Sequence, residues 1–374
     1  MINSLKKYNK KIELIILCPS IEYGGVEKNL YTISNYLSKK LELNVVTANN
    51  DKKKFFNKEI NFYSPSSNFW NNSPRILKTL ICFIILLNNF YKKNVKIISF
   101  QSNAFAIIIA KILRAKIIIR SNTSPESYSK NFIKRYILKI IFQKADKIIL
   151  NSKKFKKKFD SFYNVKSEVI YNPSYNLKNL NNLAKEKIKN KFFKDKIFLK
   201  IINIARLTNQ KNHLTLLKAI KICSDKKLKI KVMIIGSGHE KKRINNFIKI
   251  NKLTDTIKLM GYIQNPLPYI RQANIFALTS NYEGLPNVLI EALSQKKIIV
   301  SSNCPTGPSE ILLNGRGGYL FKVNNHIQLA KIIINISKNI KHAKKKSKIG
   351  FNALKRFSYE KNCNKYYNLI TKQV

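Results

Sequence analysis

Cysteine and histidine are scarce in this chain, and neither is arranged as a set of ligands. The five cysteines are scattered without a C-x-x-C pair, and no two of the four histidines stand four residues apart. A disulfide framework or a zinc site needs these residues at recurring short spacings. The sequence therefore predicts no disulfide scaffold, no bound metal and no resident cofactor, and it fits a reducing cytosol.

Long apolar runs are also missing. Runs such as Ile81–Leu87 fall far below the ~18–20 residues that span a bilayer. The apolar run from Leu14 to Cys18 is shorter than the core of a secretory signal and leads into a charged segment. We therefore expect a cytoplasmic protein without a membrane-spanning segment.

Acidic residues are the third shortage, with 19 Asp and Glu against 71 Lys and Arg and a formal net charge of +52. Apolar residues still make up 44% of the chain, which excludes a disordered protein. Only nine of the basic residues are Arg, and the lysines run through every segment instead of clustering. We interpret most of this excess of basic over acidic residues as a surface of solvated lysines. A nucleic-acid-binding protein is the alternative from another class, although no binding motif of a known type is present.

Short apolar runs alternate with longer amphipathic segments along the chain. The runs are rich in β-branched residues and nearly continuous, as in parallel strands that are buried on both faces. This alternation predicts βαβ units and doubly wound parallel sheets. The predicted strands are Ile12–Cys18, Asn44–Ala48, Val95–Phe100, Ala115–Arg120, Lys147–Asn151, Glu168–Tyr171, Phe198–Ala205, Lys229–Ile235, Ile257–Met260, Ile275–Thr279, Ile298–Ser301 and Gly318–Phe321.

A polar stretch rich in Asn and Lys interrupts this series and suggests a domain boundary. It begins at Asn172-Pro173, where the residue before proline disfavours helix. We predict two similar α/β domains, residues 1–172 and 196–345, with a linker at 173–195 and a cleft between the domains. Residues 346–374 are expected to form a helical tail that packs back on the first domain.

Two loops at predicted strand ends suit an anionic ligand. Gly24 and Gly25 stand between the first strand and a helix, where paired glycines let a backbone approach a ligand; a tight turn without a ligand is the other interpretation. Arg206 and Lys211 follow the first strand of the second series, and together they can converge on a diphosphate. The alternative there is two solvated side chains.

The turn Gly236-Ser237-Gly238 also follows a strand and precedes a helix. It lacks the third glycine of G-x-G-x-x-G, because Lys241 occupies that place, and it does not open the first βα unit. A nicotinamide-dependent dehydrogenase is therefore disfavoured, whereas a close backbone approach to a base or ribose stays open.

The most specific element is the stretch NYEGLPNVLIEA at residues 281–292. Glu283 and Glu291 are eight residues apart, about 12 Å along a helix, which is too far for the paired carboxylates of a retaining glycosidase. This spacing suits two acids that bracket an extended ligand, with the amides of Gly284 to Asn287 facing a phosphate. In the alternative reading Glu283 complements a helix dipole and Glu291 is solvated.

Taken in order, these elements resemble the retaining, nucleotide-sugar-dependent glycosyltransferases called group 1 or family 4. The resemblance covers nearly the whole chain, through the Gly-Gly loop, the Arg…Gln-Lys-Asn loop, the Gly-Ser-Gly turn and the E-x7-E element. It implies the GT-B fold, with two Rossmann-like domains facing across a cleft. The stretch CPTGPSEIL at residues 304–312 is similar to the subset that builds lipid-linked or surface glycans.

The resemblance also implies roles for individual residues. Arg206 and Lys211 would bind the donor diphosphate and neutralise the departing nucleotide, without a metal. Glu283 would hold the donor hexose, so that these three are the expected catalytic residues. The expected donor-binding residues are Gly24, Gly25, Gly236, Gly238, Gly284, Leu285, Pro286, Asn287 and Glu291.

Within that donor set, the resemblance assigns three contacts. Glu291 would accept hydrogen bonds from the ribose hydroxyls. The amides of Gly284 and Leu285 would bind the phosphate beside the hexose. Gly24 and Gly25 would close over the donor from the first domain, so that domain closure assembles the site and excludes water.

The chain departs from the family pattern on the acceptor side. Many relatives carry a histidine after the strand that matches Ala115–Arg120, and here the loop reads SNTSPE at residues 121–126. Asn122 and Glu126 are candidates for acceptor contacts, and a turn or helix cap explains them equally well.

The segment Lys130–Lys144 forms a basic amphipathic pattern. Its basic residues fall on the side of the helix opposite an apolar face, a pattern that suits an anionic membrane surface. An ordinary helix packed on the first domain is an equally good interpretation, since Leu138 and Phe142 break the partition. The apolar face comprises Phe132, Ile133, Tyr136, Ile137 and Ile140, and the basic residues are Lys130, Lys134, Arg135 and Lys139.

The sequence thus predicts transfer of a hexose or N-acetylhexosamine from a nucleotide sugar, with a UDP-sugar favoured. The expected acceptor is a glycan or lipid-linked sugar in surface polysaccharide, lipopolysaccharide or glycan biosynthesis, and the location is the cytoplasm or the inner face of the plasma membrane. The alternatives are a nucleotide-sugar epimerase or phosphorylase of the same fold, a catalytically inactive scaffold, or a nucleic-acid-binding protein.

Overall fold

The computed structural model describes residues 13–22, 24–122, 131–188 and 191–372. The chain divides into two compact units. Unit 1 is drawn from Met1–Ile170 and Cys363–Val374, and unit 2 comprises Tyr171–Asn362.

Unit 1 is built on a parallel sheet of seven strands in the order β3-β2-β1-β4-β5-β6-β7. The strands are β1 (Glu13–Leu17), β2 (Leu43–Val46), β3 (Asn61–Tyr63), β4 (Val95–Ser99), β5 (Lys116–Ser121), β6 (Lys147–Leu150) and β7 (Glu168–Val169). The helices are α1 (Gly25–Leu37), α2 (Phe69–Asn72), α3 (Arg75–Phe90), α4 (Asn103–Ile112), α5 (Phe132–Gln143) and α6 (Lys153–Tyr163). The strand order reverses between β1 and β4, so the switch point of this sheet lies at their carboxyl ends.

Alternate residues of these strands point to opposite faces of the sheet, and each face is covered by different helices. Side chains of α3, α4, α5 and α6 join the strand residues Ile97 and Ile119 in one buried apolar cluster. On the other face, Lys96 and Arg120 point toward the C-terminal helix. The helices α3 to α6 therefore form one layer on a single face of the sheet.

Unit 2 is built on a parallel sheet of six strands in the order β10-β9-β8-β11-β12-β13. The strands are β8 (Leu199–Ile204), β9 (Ile230–Ile235), β10 (Ile257–Leu259), β11 (Ile275–Leu278), β12 (Ile298–Ser302) and β13 (Tyr319–Phe321). The helices are α7 (Leu177–Ala184), α8 (His213–Asp225), α9 (Lys241–Ile250), α10 (Leu267–Gln272), α11 (Asn287–Ser294), α12 (Gly307–Ile311), α13 (His326–Lys338) and α14 (Ile340–Asn352). The strand order reverses between β8 and β11, which places a second switch point there.

Helix α15 (Tyr359–Thr371) begins in unit 2 and ends in unit 1. Within unit 1 it is held by two buried cations of the sheet. Lys96 Nζ donates to the carbonyl of Ile370 at 2.5 Å, and Arg120 Nε donates to the hydroxyl of Tyr366 at 2.9 Å. The last turns of the chain thus complete one face of the unit 1 sheet.

The apolar runs of the sequence match twelve of the strands to within one or two residues. The strand without a predicted counterpart is β3, at the edge of the unit 1 sheet. Its three residues, Asn61 to Tyr63, give only a weak apolar signal because none of them is fully buried. The segment 173–195, predicted to be a linker, contains α7, which packs against α10 and α11 of unit 2.

The packing of helix α5 departs from the second interpretation, an ordinary helix that packs on the core through its apolar face. Leu138 and Phe142, which break the amphipathic pattern, are its buried residues. The five side chains assigned to the apolar face are instead exposed, from Phe132 at 79% to Ile140 at 43%. Two apolar faces lie side by side on this helix, and only the smaller one, with Leu138 and Phe142, meets the core. Lys130 lies outside the described residues.

In the described parts of the chain, none of the helices is both long enough and apolar enough to cross a membrane.

Candidate active site

The loop after β8 and the loop after β11 are tied together at the switch point of the unit 2 sheet. The amide of Asn281 donates to the carbonyl of Gln210 at 2.8 Å, and Gln210 Nε2 donates to the carbonyl of Tyr282 at 3.0 Å. Thr279 Oγ1 donates to the carbonyl of Lys211 at 3.0 Å. These bonds fix both loops at the position where ligands bind in open α/β sheets.

Lys211 and Glu283 form an ion pair across these two loops. Lys211 Nζ lies 2.5 Å from Glu283 Oε1, and the side chains are only 16% and 8% exposed. Ser280 Oγ donates to the same Oε1 at 2.6 Å. Both described contacts of the carboxylate thus go to one oxygen, which leaves Oε2 for a hydroxyl of a bound molecule.

The loop after β12 supports Glu283 from the other side. The Glu283 amide donates to the carbonyl of Pro305 at 2.8 Å, and the amide of Thr306 donates to the Glu283 carbonyl at 2.9 Å. A Cβ atom on Gly307 would lie 1.9 Å from the carbonyl oxygen of Gly284. Three consecutive strand ends of the sheet therefore meet at Glu283.

The two glycines of the Gly-Ser-Gly turn hold the loop that carries Arg206. Gly236 and Gly238 have φ angles of +148° and +152°, which L side chains rarely adopt. Cβ atoms there would lie 1.9 Å from the carbonyl oxygen of Ala205 and 2.3 Å from that of Leu207. Because these carbonyls flank Arg206, the glycines determine where the exposed Arg206 stands. Sequence reasoning assigned them to a ligand contact and missed this packing role.

Helix α11 carries the remaining donor-side candidates. It begins directly after Pro286 and Asn287 is its first residue. The Asn287 side chain accepts hydrogen bonds from Asn172 Nδ2 at 2.7 Å and Ser174 Oγ at 2.8 Å, so it is turned toward the start of unit 2. Glu291 lies one turn further along and is buried, with 7% exposure. The first amides of the helix have no partner within it and face outward from its N-terminus.

The predicted glycines of unit 1 flank the start of α1. Gly24 precedes the helix and Gly25 is its first residue. The φ angle of Gly24 is 177°, an extended conformation open to any residue. A Cβ atom on Gly24 would nonetheless approach Glu27 Oε2 to 2.9 Å. Because that oxygen is the far end of a flexible side chain, a small shift of Glu27 would make room for a Cβ atom, and the structure does not require glycine at this position.

The acceptor-side candidate Asn122 lies after β5, at the carboxyl edge of the unit 1 sheet. Its Oδ1 accepts a hydrogen bond from Arg120 at 2.7 Å and a longer one from Asn151 Nδ2 at 3.4 Å. Arg120 is fully buried and also donates to Tyr366. The side chain of Asn122 is therefore fixed in place. Glu126, the second candidate, lies outside the described residues.

Two ionisable groups beside the ion pair are held neutral by burial. Burial, together with the charge of Lys211, lowers the pKa of His213 to about 4. Burial, with a smaller contribution from the charge of Glu283, raises the pKa of the Cys304 thiol to about 12. Neither group changes its charge near neutral pH, so Arg206, Lys211 and Glu283 carry the charge of this region.

The structure brings Arg206, Lys211, Glu283, Gly236, Gly238 and Gly284 to the switch point of unit 2, whereas Gly24, Gly25 and Asn122 belong to unit 1. Sequence reasoning missed Ser280 and Asn172. Ser280 follows a buried strand, and no local sequence pattern marks it as a functional residue. Asn172 was interpreted only as the residue before a proline, at the start of the domain boundary. Among the described residues, no group of three or more His, Cys, Asp or Glu side chains is placed to hold a metal ion.

Two cations and a carboxylate at a switch point are suited to a ligand that carries both phosphates and hydroxyls. Two family models match the chain. The model for Glycosyltransferase Family 4 covers residues 23–173, and the model for Glycosyl transferases group 1 covers residues 184–356. The chain belongs to the group 1 glycosyltransferases. It is therefore a transferase enzyme.

Curated relatives agree with this assignment. An uncharacterized glycosyltransferase of Methanocaldococcus jannaschii is 31% identical over 256 residues, which cover 64% of this glycosyltransferase and 62% of that protein. The N-acetylgalactosamine-N,N'-diacetylbacillosaminyl-diphospho-undecaprenol 4-alpha-N-acetylgalactosaminyltransferase of Campylobacter jejuni is 27% identical over 374 residues, or 95% of this chain and 99% of that one.

Solved structures confirm the GT-B fold of this glycosyltransferase. Anabaena HepE in complex with UDP and glucose superposes with a TM-score of 0.75 at 17% identity, over 96% of this chain and all of that one. A glycosyltransferase from Rickettsia africae superposes with a TM-score of 0.78 at 20% identity, over 98% of this chain and all of that one. The doubly wound sheets predicted from the sequence are confirmed.

Proposed function

We propose that this enzyme transfers a hexose or N-acetylhexosamine from a UDP-sugar to a lipid-linked or polysaccharide acceptor, with retention of anomeric configuration and without a metal ion. The observation that carries the proposal is the Lys211–Glu283 ion pair at the switch point of unit 2, beside the exposed Arg206. One arrangement there offers cations for a diphosphate and a carboxylate for a sugar.

The leaving group in such a transfer is a nucleoside diphosphate, which gains negative charge as the glycosidic bond breaks. Arg206 binds the diphosphate through its guanidinium fork, and Lys211 adds a point charge. Lys211 is held by Glu283 before the donor arrives, so it stabilises the departing charge with little reorganisation. This is the part of catalysis that we assign to the described residues.

The sugar and ribose are assigned to the two acids. Glu283 Oε2 accepts a hydrogen bond from a hydroxyl of the donor hexose, while Oε1 stays with Lys211 and Ser280. The amides of Gly284 and Leu285 and the N-terminus of α11 bind phosphate oxygens. Glu291, one turn further along α11, accepts hydrogen bonds from the ribose hydroxyls.

A UDP-sugar is supported as the donor by the solved relatives, because HepE is described in complexes with UDP and with UDP-glucose. The direct test is a thermal-shift screen of the enzyme against UDP-, GDP- and ADP-sugars. A bound donor raises the unfolding temperature by mass action. Stabilisation by a GDP- or ADP-sugar without any by UDP-sugars would contradict the choice of base.

A polyprenyl-linked acceptor is supported by the Campylobacter relative, whose name specifies a diphospho-undecaprenol substrate. The acceptor side is assigned to unit 1, with Asn122 and Glu126 as contacts. The test is release of UDP with and without a polyprenyl-diphosphate-linked N-acetylhexosamine. A glycosyltransferase releases UDP with the acceptor present, whereas an epimerase of the same fold releases none.

Retention and metal independence have their own measurements. Retention predicts an α-linked product from an α-configured donor, which the anomeric proton coupling in an NMR spectrum reports. Metal independence predicts an unchanged rate after EDTA treatment, because Arg206 and Lys211 supply the positive charge. A β-linked product or loss of activity that Mg²⁺ restores would contradict these two statements separately.

A lipid-linked acceptor requires the enzyme to reach a membrane. We place it in the cytoplasm at the inner face of the plasma membrane, with the exposed apolar side chains and the cations of α5 at the lipid surface. No nucleic-acid partner is proposed, and RNA or DNA that shifts in a gel with this enzyme at physiological salt would contradict that.

A further inference from the structure

Helix α3 exposes an apolar stripe on the side that faces away from the core of unit 1. Its inner side buries Cys82, Leu86 and Phe90. Its outer side exposes Ile76 at 69% and Ile84 at 52%. A helix that is apolar on all sides is normally buried on all sides. The outer stripe of α3 is apolar but exposed.

Helix α4 repeats this arrangement beside α3. Phe105, Ile108 and Ile112 recur at three- and four-residue steps and are 48%, 42% and 55% exposed. The two helices are in contact, since the rings of Phe83 and Phe105 lie 6.2 Å apart. The exposed stripes of α3 and α4 are therefore neighbours on one surface.

Helix α5 extends the surface on the far side of α4, against which it packs. Phe132, Ile133 and Tyr136 are 79%, 68% and 59% exposed. We call the exposed apolar residues of α3, α4 and α5 the apolar face. Helices packed 8–10 Å apart and roughly 15–24 Å long give this face a span of about 20 Å in each direction. Exposed apolar residues gathered over an area of that size on one molecule indicate an interaction site.

The charge around the apolar face has one sign. The segments Arg75–Phe90, Asn103–Ile112 and Phe132–Gln143 contain no acidic residue. Helix α6, next to α5, carries five lysines, at positions 153, 154, 156, 157 and 158, and a single acid, Asp160. Arg135 of α5 stacks over the ring of Phe162 of α6 at 4.1 Å, which joins the basic residues of both helices into one border.

We propose that the apolar face docks on an anionic lipid bilayer, with its side chains in the interface and the basic border of α5 and α6 against the headgroups. Apolar side chains beside Lys and Arg, without acids, match the chemistry of such a surface. A second copy of the chain matches it poorly, because two basic borders would be brought together with almost no acid to pair them. The inference rests on the membrane association proposed above and extends it from one helix to three.

The topology supports this assignment. In a parallel sheet each connecting helix starts at the carboxyl edge of the strands, so α3, α4 and α5 all begin at the edge where Asn122 lies. One end of the docked face therefore adjoins the proposed acceptor contacts. A polyprenyl-linked sugar would emerge from the bilayer at that end.

The test is flotation of the full chain with vesicles of phosphatidylcholine, alone or mixed with phosphatidylglycerol, at ~0.1 M salt. One variant changes α3 alone, as Ile76→Gln with Leu80→Gln and Ile84→Gln, and another changes α5 as Phe132→Gln with Ile133→Gln and Tyr136→Gln. The matched control removes exposed apolar side chains of unit 2, as Ile197→Gln with Ile250→Gln and Ile327→Gln.

We expect the wild type and the control to float with the anionic vesicles only, and each of the other variants to lose about ten-fold or more of its binding. Because every substituted side chain is exposed, unfolding temperatures and stabilisation by UDP should be unchanged. Absence of wild-type binding, or an α3 variant that binds like the wild type, would overturn the proposal. So would sedimentation showing a dimer that the variants dissociate while flotation is unchanged, since the face would then join two copies.

This experiment uses no donor or acceptor. An enzyme that binds vesicles but transfers no sugar would contradict the proposed function without contradicting the proposal that the apolar face docks on a bilayer. An enzyme that transfers sugar to a water-soluble acceptor but never floats with vesicles would contradict only the proposal that the apolar face docks on a bilayer.

Discussion

Lys211 Nζ lies 2.5 Å from Glu283 Oε1, and this contact joins the loops after two neighbouring strands of the unit 2 sheet. The residues are 72 positions apart in the sequence. In the proposed function, Lys211 offers positive charge to a phosphate and Glu283 Oε2 offers a hydrogen-bond acceptor to a sugar. Each partner also fixes the other, because both side chains are largely buried.

Removal of the Lys211 charge should abolish most activity without unfolding the enzyme. We expect Lys211→Ala to lower kcat by about 10²–10³-fold, the usual effect of losing one preorganised group that stabilises developing charge. Glu283→Ala should have a comparable effect through the lost sugar contact. The matched control is Lys218→Ala, an exposed lysine on α8, which should keep the wild-type rate. Wild-type rates in both site variants would refute the site.

The same pair should be visible in stability. Lys211→Met leaves the Glu283 carboxylate with one partner fewer in a mostly buried position, and we expect a loss of about 1–3 kcal/mol. The double variant Lys211→Met with Glu283→Gln should lose less than the sum of the single variants, because neither charge is left alone. Denaturant unfolding of all four proteins measures this coupling, and strictly additive losses would show that the contact is not made in solution.

The Gly-Ser-Gly turn should act on donor binding through the Arg206 loop. In Gly236→Ala the new methyl group would overlap the carbonyl of Ala205, so the loop must shift and UDP binding should weaken. Gly261→Ala is the matched control, because its φ is also positive, at +74°, but no atom lies within 4 Å of the added Cβ. It should lose roughly 1–2 kcal/mol of stability and keep its affinity for UDP, as calorimetry would report. Equal losses of affinity in both variants would contradict the packing argument.

His213 should make the enzyme less stable as the pH falls below neutral. Its folded-state pKa of about 4 lies below the unfolded value of about 6.5, so the unfolded chain takes up a proton that the folded chain rejects. The stability contributed above pH ~6.5 is therefore lost as the pH falls toward 4, by up to about 3 kcal/mol. Unfolding of His213→Leu should depend less on pH in this window than unfolding of the wild type. His239→Gln, which changes an exposed histidine, should keep the wild-type slope.

All five cysteines should be unreactive until the enzyme unfolds. Each is buried, and burial raises the pKa of Cys223, Cys304 and Cys363 to about 12. The thiolate is the reactive form, so a disulfide reagent at pH 7.5 should titrate few thiols in the folded protein and all of them in denaturant. Fast reaction of a folded-state thiol would show that one of these sites opens to solvent.

Most of the fold could be predicted from the sequence because the strands are buried on both faces. Ile97 and Ile98, for example, point to opposite faces and are both fully buried, so the apolar run has no gaps. The edge strand β3 was not predicted, because a strand at the edge of a sheet does not require apolar residues on both faces. For the apolar face of α5 the sequence left two interpretations open, since an apolar residue on a helix does not reveal which of two apolar sides meets the core.

The candidate site was predictable only as far as strand ends and residue chemistry allow. Arg206, Lys211 and Glu283 each follow a strand that ends at the same sheet edge, which brings them together. The pairing of Lys211 with Glu283 depends on β8 and β11 being neighbours, a fact of topology that local spacing does not encode. The hydrogen bond from Asn172 to Asn287 could not be predicted from local spacing either, because it joins two segments 115 residues apart.

The most direct test of the central claim is acceptor-dependent release of UDP from a UDP-sugar, measured for the wild type and for Lys211→Ala with a polyprenyl-diphosphate-linked N-acetylhexosamine as acceptor. The account predicts release by the wild type only when both substrates are present, and a rate about 10²–10³-fold lower in the variant. Equal rates in the two proteins, or release by the wild type that ignores the acceptor, would contradict it.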